Sequence, residues 1–362
     1  QEMEHLPEAL LMMVPGIGSL KQRKLVEYFG DACAAWAAKG AELAQSRILN
    51  EKEIAGILSL RESLDPSQLE KNWTRQGIGI CGIDDPDYPA LLRKIFDPPS
   101  ILFYRGHMIG DSLNLAVVGS RRSTPYGRNV ARSFSEQLAR CGVSIVSGAA
   151  RGIDTASHEG ALAAGAGTMA ILGCGVDIAY PPENASLLER MIDNGCLISE
   201  YPPGTPPLPG QFPARNRIIA GMSVGVLVVE AAEKSGALIT ADFALNENRE
   251  VYAIPGSVFS NASRGVHRLI QQGARLIGSV DDLLEDLGLS SFDTQVKPPQ
   301  SLSPDEKKVL AELSASEPIG LDELVIRLNM AASQLAVVLL QLEMSGYVEK
   351  FSGNRYGRVA KE

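Results

Sequence analysis

Leu113-Asn-Leu-Ala-Val-Val-Gly-Ser-Arg-Arg-Ser-Thr-Pro-Tyr126 passes from an apolar run through a small-residue loop into a helix start. Thr124 before Pro125 is a cap followed by a first-turn proline, and Gly142 is a natural stop for the helix that follows. The same unit recurs along the chain. Further short apolar or β-branched runs occupy residues 143–147, 168–172, 196–199, 225–229, 251–254 and 275–277, separated by helical stretches. Most are nearly continuous in apolar residues rather than alternating, as strands covered on both faces are. The pattern predicts an α/β fold built on a Rossmann-like, doubly wound, mostly parallel sheet.

Three of these runs end in loops of small residues that open helices at once: Gly119-Ser-Arg121, Ser147-Gly-Ala-Ala-Arg-Gly152 and Gly173-Cys-Gly175. Ligands of open parallel sheets sit at the carboxyl ends of the strands, where glycines admit an anion and the helix start favours negative charge. Arg121 and Arg151 add guanidinium groups to two of the loops. Ile178 stands where a dinucleotide fingerprint needs its third glycine, and the chain has no Gly-Lys pair for a P-loop, so NAD and ATP weaken as ligands and a polyanion gains. After five prolines between Tyr201 and Gly210 comes Phe212-Pro-Ala-Arg-Asn-Arg-Ile-Ile-Ala-Gly221. A stiff approach of this kind presents Phe212, Arg215, Asn216 and Arg217 near a helix start. Guanidinium groups beside an aromatic ring suit a single nucleic-acid strand, with charge for its phosphates and a flat face for a base. The alternative for Phe212 is a core anchor, and for Asn216 a local cap.

The net charge of −9 at first opposes such a ligand. Its distribution does not. Of 34 basic and 43 acidic residues, 14 and 13 lie in residues 113–280, leaving 20 and 30 elsewhere, and all but one of those 14 are arginine. Arginine is the side chain suited to bidentate phosphate contact and stacking. The five cysteines are widely spaced, which suits neither a disulfide framework nor zinc, and the four histidines form no ligand motif. No metal and no cofactor are expected. With no long apolar run and no secretion signal, the chain reads as cytoplasmic with no membrane association.

The flanks differ from the centre. Residues 1–76 read as a helical domain of helix-hairpin-helix or SAM-like type, in which Val14-Pro-Gly-Ile-Gly18 precedes a helix that Ser19 can cap. That glycine turn has two readings, a tight helix–helix connection or a set of backbone N–H groups for a phosphate. Residues 78–107, rich in Pro and Asp, read as a connector within an extended Rossmann-like domain over 77–289. Residues 290–301 read as a linker, and 302–362 as a winged-helix-like domain. Its third helix has Leu335, Val338, Leu339 and Leu342 as a core face and no Lys or Arg, so it is expected to pack or bind protein rather than read duplex DNA.

Asp154, Glu200, Glu230 and Asp242 are isolated acids, and no nucleophile–base set is apparent, so no catalytic residue is assigned. Two other readings stay open: a nucleotide or phosphoribosyl hydrolase using Glu230, and a transcription regulator reading DNA through its winged helix.

In their order and wording, Val117-Val-Gly-Ser-Arg121, Ser147-Gly-Ala-Ala-Arg-Gly-Ile-Asp154, Leu172-Gly-Cys-Gly-Val-Asp177, Phe212 to Gly221, Val228-Val-Glu-Ala231, Ser235-Gly-Ala-Leu-Ile-Thr-Ala241 and Ile254-Pro-Gly-Ser257 resemble the DprA (Smf) family of DNA-processing proteins. Tyr88-Pro89 and Asp97-Pro-Pro99 are similar to it too. The resemblance departs at Ala149, where glycine is frequent, and at Met222, where leucine is usual. It implies single-stranded DNA binding, protection of incoming DNA, loading of a RecA-type recombinase in natural transformation, and a homodimer formed through the α/β domain. Carried over by motif, the nucleic-acid site comprises Gly119, Ser120, Arg121, Ser147, Gly148, Arg151, Gly173, Gly175, Phe212, Arg215, Asn216 and Arg217.

Overall fold

The computed structural model describes residues 3–108, 112–289, 302–314, 316–345 and 347–359 of the chain. Among these residues one large sheet contains β1 Ile78–Gly82, β2 Ile101–Gly106, β3 Asn114–Val118, β4 Ser144–Ser147, β5 Thr168–Ile171, β6 Cys196–Ser199, β7 Gly225–Val228, β8 Glu250–Ala253 and β9 Arg275–Leu276. Their spatial order is β1-β2-β6-β5-β4-β3-β7-β8-β9. All pairs from β6 to β9 are parallel, while β2 pairs antiparallel with both β6 and β1.

The sheet is covered on both faces, which explains the continuous apolar runs. In β3, Ala116 and Val118 join one core with Ile218 and Ile219 of helix Gln211–Gly221 and Ala237 and Ala241 of helix Gly236–Asn246. Their neighbours Leu115 and Val117 join the opposite core, with Ala131 and Leu138 of helix Pro125–Arg140 and Ile153 and Ala156 of helix Ile153–Ala163. Successive strand residues point to opposite faces, so a strand covered on both sides is apolar at most of its positions.

The segment 78–107 is not the plain connector expected from its turn formers. It supplies β1 and β2, and Ile101, Leu102 and Phe103 are at most 1% exposed. β2 is short and preceded by Pro98 and Pro99, and it pairs with β6, a strand that lies far along the chain. Between them the turn is anchored by Tyr88, whose hydroxyl donates to the Pro99 carbonyl at 2.7 Å.

Six helices between Leu6 and Arg75 form the N-terminal part. Ser19 does not cap its helix. Gly18 holds the N-cap position, and the Ser19 hydroxyl turns to Glu200 Oε1 at 2.9 Å. Ser19 is 4% exposed, whereas Pro15, Gly16 and Gly18 of the turn before it are exposed. The C-terminal part has helices Pro304–Glu312, Leu321–Leu328 and Ala332–Met344 with β10 Ile319–Gly320, β11 Val348–Phe351 and β12 Arg355–Arg358 in the order β10-β12-β11, a winged helix. Leu335, Val338, Leu339 and Leu342 fill its core as their spacing suggested. Residues 290–301, read as a linker, lie outside the described residues. Among the described residues no single helix is long and apolar enough to cross a membrane.

Candidate nucleic-acid interface

After β3 the chain builds β4, β5 and β6 on one side and then returns to place β7 on the other. The carboxyl ends of β3 and β7 therefore flank the switch point at which open α/β sheets bind ligands. Two loops meet there. Ser120 N donates to the Glu230 carbonyl at 2.8 Å. The Glu230 carboxylate accepts from Thr124 N at 2.8 Å and from the Thr124 hydroxyl, which itself caps helix Pro125–Arg140 by accepting from Gly127 N. Burial pushes the Glu230 carboxyl above its ordinary range, and the Thr124 bonds oppose that shift. Both oxygens of this 2%-exposed acid are thus spent on holding the β3 loop.

The β4 loop is tied in a similar way. Asp154 accepts from Gly148 N at 3.1 Å and Ala150 N at 3.3 Å, while the Ser147 hydroxyl donates to the Val117 carbonyl at 2.6 Å. Ser147 is fully buried and serves the join between β4 and β3 rather than the surface. Ala149, between the two bonded amides, adopts φ 53° in the left-handed region. In the β5 loop Gly175 N donates to the Thr205 carbonyl at 2.9 Å. Gly173 lies under Phe212, where a Cβ would come within 2.8 Å of the ring.

Phe212, Arg215 and Asn216 share one face of helix Gln211–Gly221, as residues three and four apart do. That face meets the loops. The Arg215 guanidinium goes beneath them, donating to the carbonyls of Gly148, at 2.8 Å, and Ile171, and to Asn216 Oδ1 at 3.1 Å. At 4% exposure, burial lowers its pKa to about 10 against the opposing charge of Asp154, so it is still cationic at neutral pH. Gly148 is needed here for close approach, since a Cβ would lie 2.7 Å from the guanidinium. Arg217 leaves the shared face and pairs with Glu200 at 2.7 Å and Asp97 at 3.7 Å. The joint surface presentation expected for Arg215 and Arg217 is therefore not what the structure shows: both guanidinium groups are held by protein acceptors. A helix start can be read from sequence, whereas its inward face depends on distant loops.

At the rim stand Arg121, Arg122, Arg151 and half-buried Phe212. The exposed Arg121 guanidinium lies 5.6 Å from the Phe212 ring centroid, and Arg215 lies 5.8 Å from it. Tyr180, which the sequence reading missed, places its ring 5.3 Å from Phe212. Its only signal was its place shortly after the glycine loop. Arg151 is about half exposed and pairs with the equally exposed Glu183. Asn216 Nδ2 reaches the Gly236 carbonyl at 3.4 Å, and Gly119 and Ser120 form the turn below Arg121. The edge thus offers exposed guanidinium groups beside a ring seated on glycine, able to bind phosphate and to stack a base.

Residues 79–288 match the family model described as DNA recombination-mediator protein A, and residues 293–354 match that of the DprA winged helix domain. The chain belongs to the DNA recombination-mediator protein A family. A family relative, Protein Smf of Synechocystis sp., is 36% identical over 95% of this chain and 96% of its own length. Among solved family structures, DNA processing protein A (DprA) from Streptococcus pneumoniae is 37% identical, covers 78% of this chain and 98% of its own, and superposes with a TM-score of 0.68. DNA processing protein A from Helicobacter pylori, described for its single-stranded DNA binding mode, is 30% identical over 57% of this chain and 95% of its own, with a TM-score of 0.53.

Proposed function

We propose that this family member binds single-stranded DNA along the carboxyl edge of its large sheet, protects it, and loads a RecA-type recombinase on it during natural transformation in the cytoplasm. The observation that carries the reading is the exposed Arg121 guanidinium set over the Phe212 ring at the switch point. Arg121 and Arg151 contact phosphates, Phe212 offers the stacking face, and the backbone of Gly119, Ser120, Gly148, Gly173 and Gly175 lines the path. Arg215, Asn216, Arg217 and Ser147 position these groups from below. The protein acts as a homodimer through residues 77–289, with helical residues 1–76 and the winged helix of 302–362 as separate domains.

The winged helix packs rather than reads a duplex. Phe351 lies beneath the Arg128 guanidinium at 5.4 Å, and Arg358 accepts a bond from Asn129 through its carbonyl, both from helix Pro125–Arg140. The decisive experiment is fluorescence anisotropy with single-stranded and duplex DNA of equal length across a salt series. Tighter, salt-sensitive binding of the single strand is expected. Equal affinity for both forms overturns the reading. Recombinase loading is tested by filament assembly on DNA already coated by a single-strand binding protein, and assembly unchanged by this protein rejects that step.

A further inference from the structure

The loop after β8 carries a second aromatic ring on the same edge. Phe259 is 95% exposed and its neighbour Val258 73%. The base of this loop is nevertheless held in place. The Tyr126 hydroxyl donates to the Pro255 carbonyl at 2.7 Å, His267 Nε2 bonds the Gly256 carbonyl at 3.0 Å, and Gly265 N donates to the Ala231 carbonyl at 2.8 Å. A ring presented on an anchored base has lost part of its freedom in advance, which lowers the cost of ordering it on a ligand.

Charge indicates which ligand. Residues 251–280 contain Arg264, Arg268 and Arg275 but no Asp or Glu. Arg275 pairs with Asp286, whereas Arg264 and Arg268 are exposed on the helix that follows the loop. The helix that follows Phe259 therefore offers two exposed cations to a polyanion. Position agrees. From the β5 end under Phe212, through β4 and β3 with Arg151 and Arg121, across β7 to β8 is four strand spacings, about 19 Å at ~4.8 Å each. A stretch of several nucleotides spans such a distance, within the range of about 4–16 nucleotides that single-strand sites occupy.

We propose that Phe259 is a second base-stacking platform, engaged by the same strand after it leaves Phe212 and crosses the arginine loops. The inference rests on the single-stranded DNA reading and adds a far end to its path. Anisotropy with oligothymidylates of about 3 nucleotides, too short to cover the distance at ~3.4 Å or more per nucleotide, and of about 20 nucleotides separates the two claims. Phe259→Ala is expected to weaken binding of the longer strand about five-fold or more and leave the shorter one unchanged. Phe259→Trp should retain wild-type affinity, and Phe212→Ala should weaken both lengths. If Phe259→Ala binds both lengths as wild type does while Phe212→Ala does not, the second platform is rejected and the first stands. Failure of the wild-type protein to bind either strand overturns both claims. A lower mass of Phe259→Ala by light scattering, with DNA affinity intact, would assign the ring to a protein contact and reject the proposal.

Discussion

Arg215 donates from its guanidinium to the Gly148 carbonyl at 2.8 Å, joining the helix that bears Phe212 to the loop that bears Arg151. One buried side chain thus sets the spacing of two elements of the candidate interface. Arg215→Ala leaves two carbonyls without their donor and Asp154 without its neighbouring charge, and should destabilise the fold by about 3–5 kcal/mol. Urea denaturation measures this, and a loss under about 1 kcal/mol would contradict the structural role.

Arg121 has the opposite character, being exposed and placed over a ring. Arg121→Ala should leave the melting temperature unchanged, weaken single-strand binding by about 1–3 kcal/mol, and reduce the slope of log K against log salt by about 0.7 for the lost phosphate contact. Wild-type affinity in the folded variant would remove Arg121 from the path.

If Arg151 contacts phosphate as proposed, Glu183 competes with DNA for it. Exposed ion pairs of this kind are weak, so a phosphate exchanges readily for the carboxylate. Glu183→Gln should tighten single-strand binding roughly two- to five-fold at low salt, with the gain fading as salt rises. Weaker binding would mean that Glu183 orients Arg151 instead of competing for it.

Ala149 holds a left-handed conformation that costs an L-residue about 1–2 kcal/mol, while glycine in its place gives back about 0.4–1 kcal/mol through the unfolded chain. Ala149→Gly should therefore stabilise the protein by about 0.5 kcal/mol in a thermal melt. A clear loss of stability would show that the buried methyl packs better than the backbone suffers.

His5 joins the first helix to the turn after β1 through Glu8 at 3.4 Å and Asp85 at 2.9 Å. The Glu8 bond, assisted by Asp85 and opposed by burial, raises its pKa to about 9. Because the folded value lies above the unfolded value of about 6.5, the stabilisation is complete below that pH and is lost as pH rises through 9. The melting-temperature gap between wild type and His5→Gln should shrink from pH 6 to pH 9.5, and a constant gap would refute the assignment.

The parallel sheet could be read from the chain because Leu115 and Val117 serve one core while Ala116 and Val118 serve the other, which forces a locally visible apolar run. β1 and β2 escaped notice because Ile101, Leu102 and Phe103 are short of pattern and become a strand only against β6. At the interface, Arg121 and Phe212 came from local spacing. Tyr180 and Glu183 did not, since each meets its partner across a gap of about thirty residues.

By itself, the order of residues determined strands, small-residue loops, helix starts and the concentration of arginine near them, since each depends on neighbours within a few positions. Tertiary structure alone decided which arginines face outward. Helix Gln211–Gly221 turns Arg215 toward acceptors in the loop after β4 and on β5, and Arg217 toward Glu200 and Asp97. A guanidinium group leaves water only where such acceptors converge, and their convergence is a property of the folded sheet.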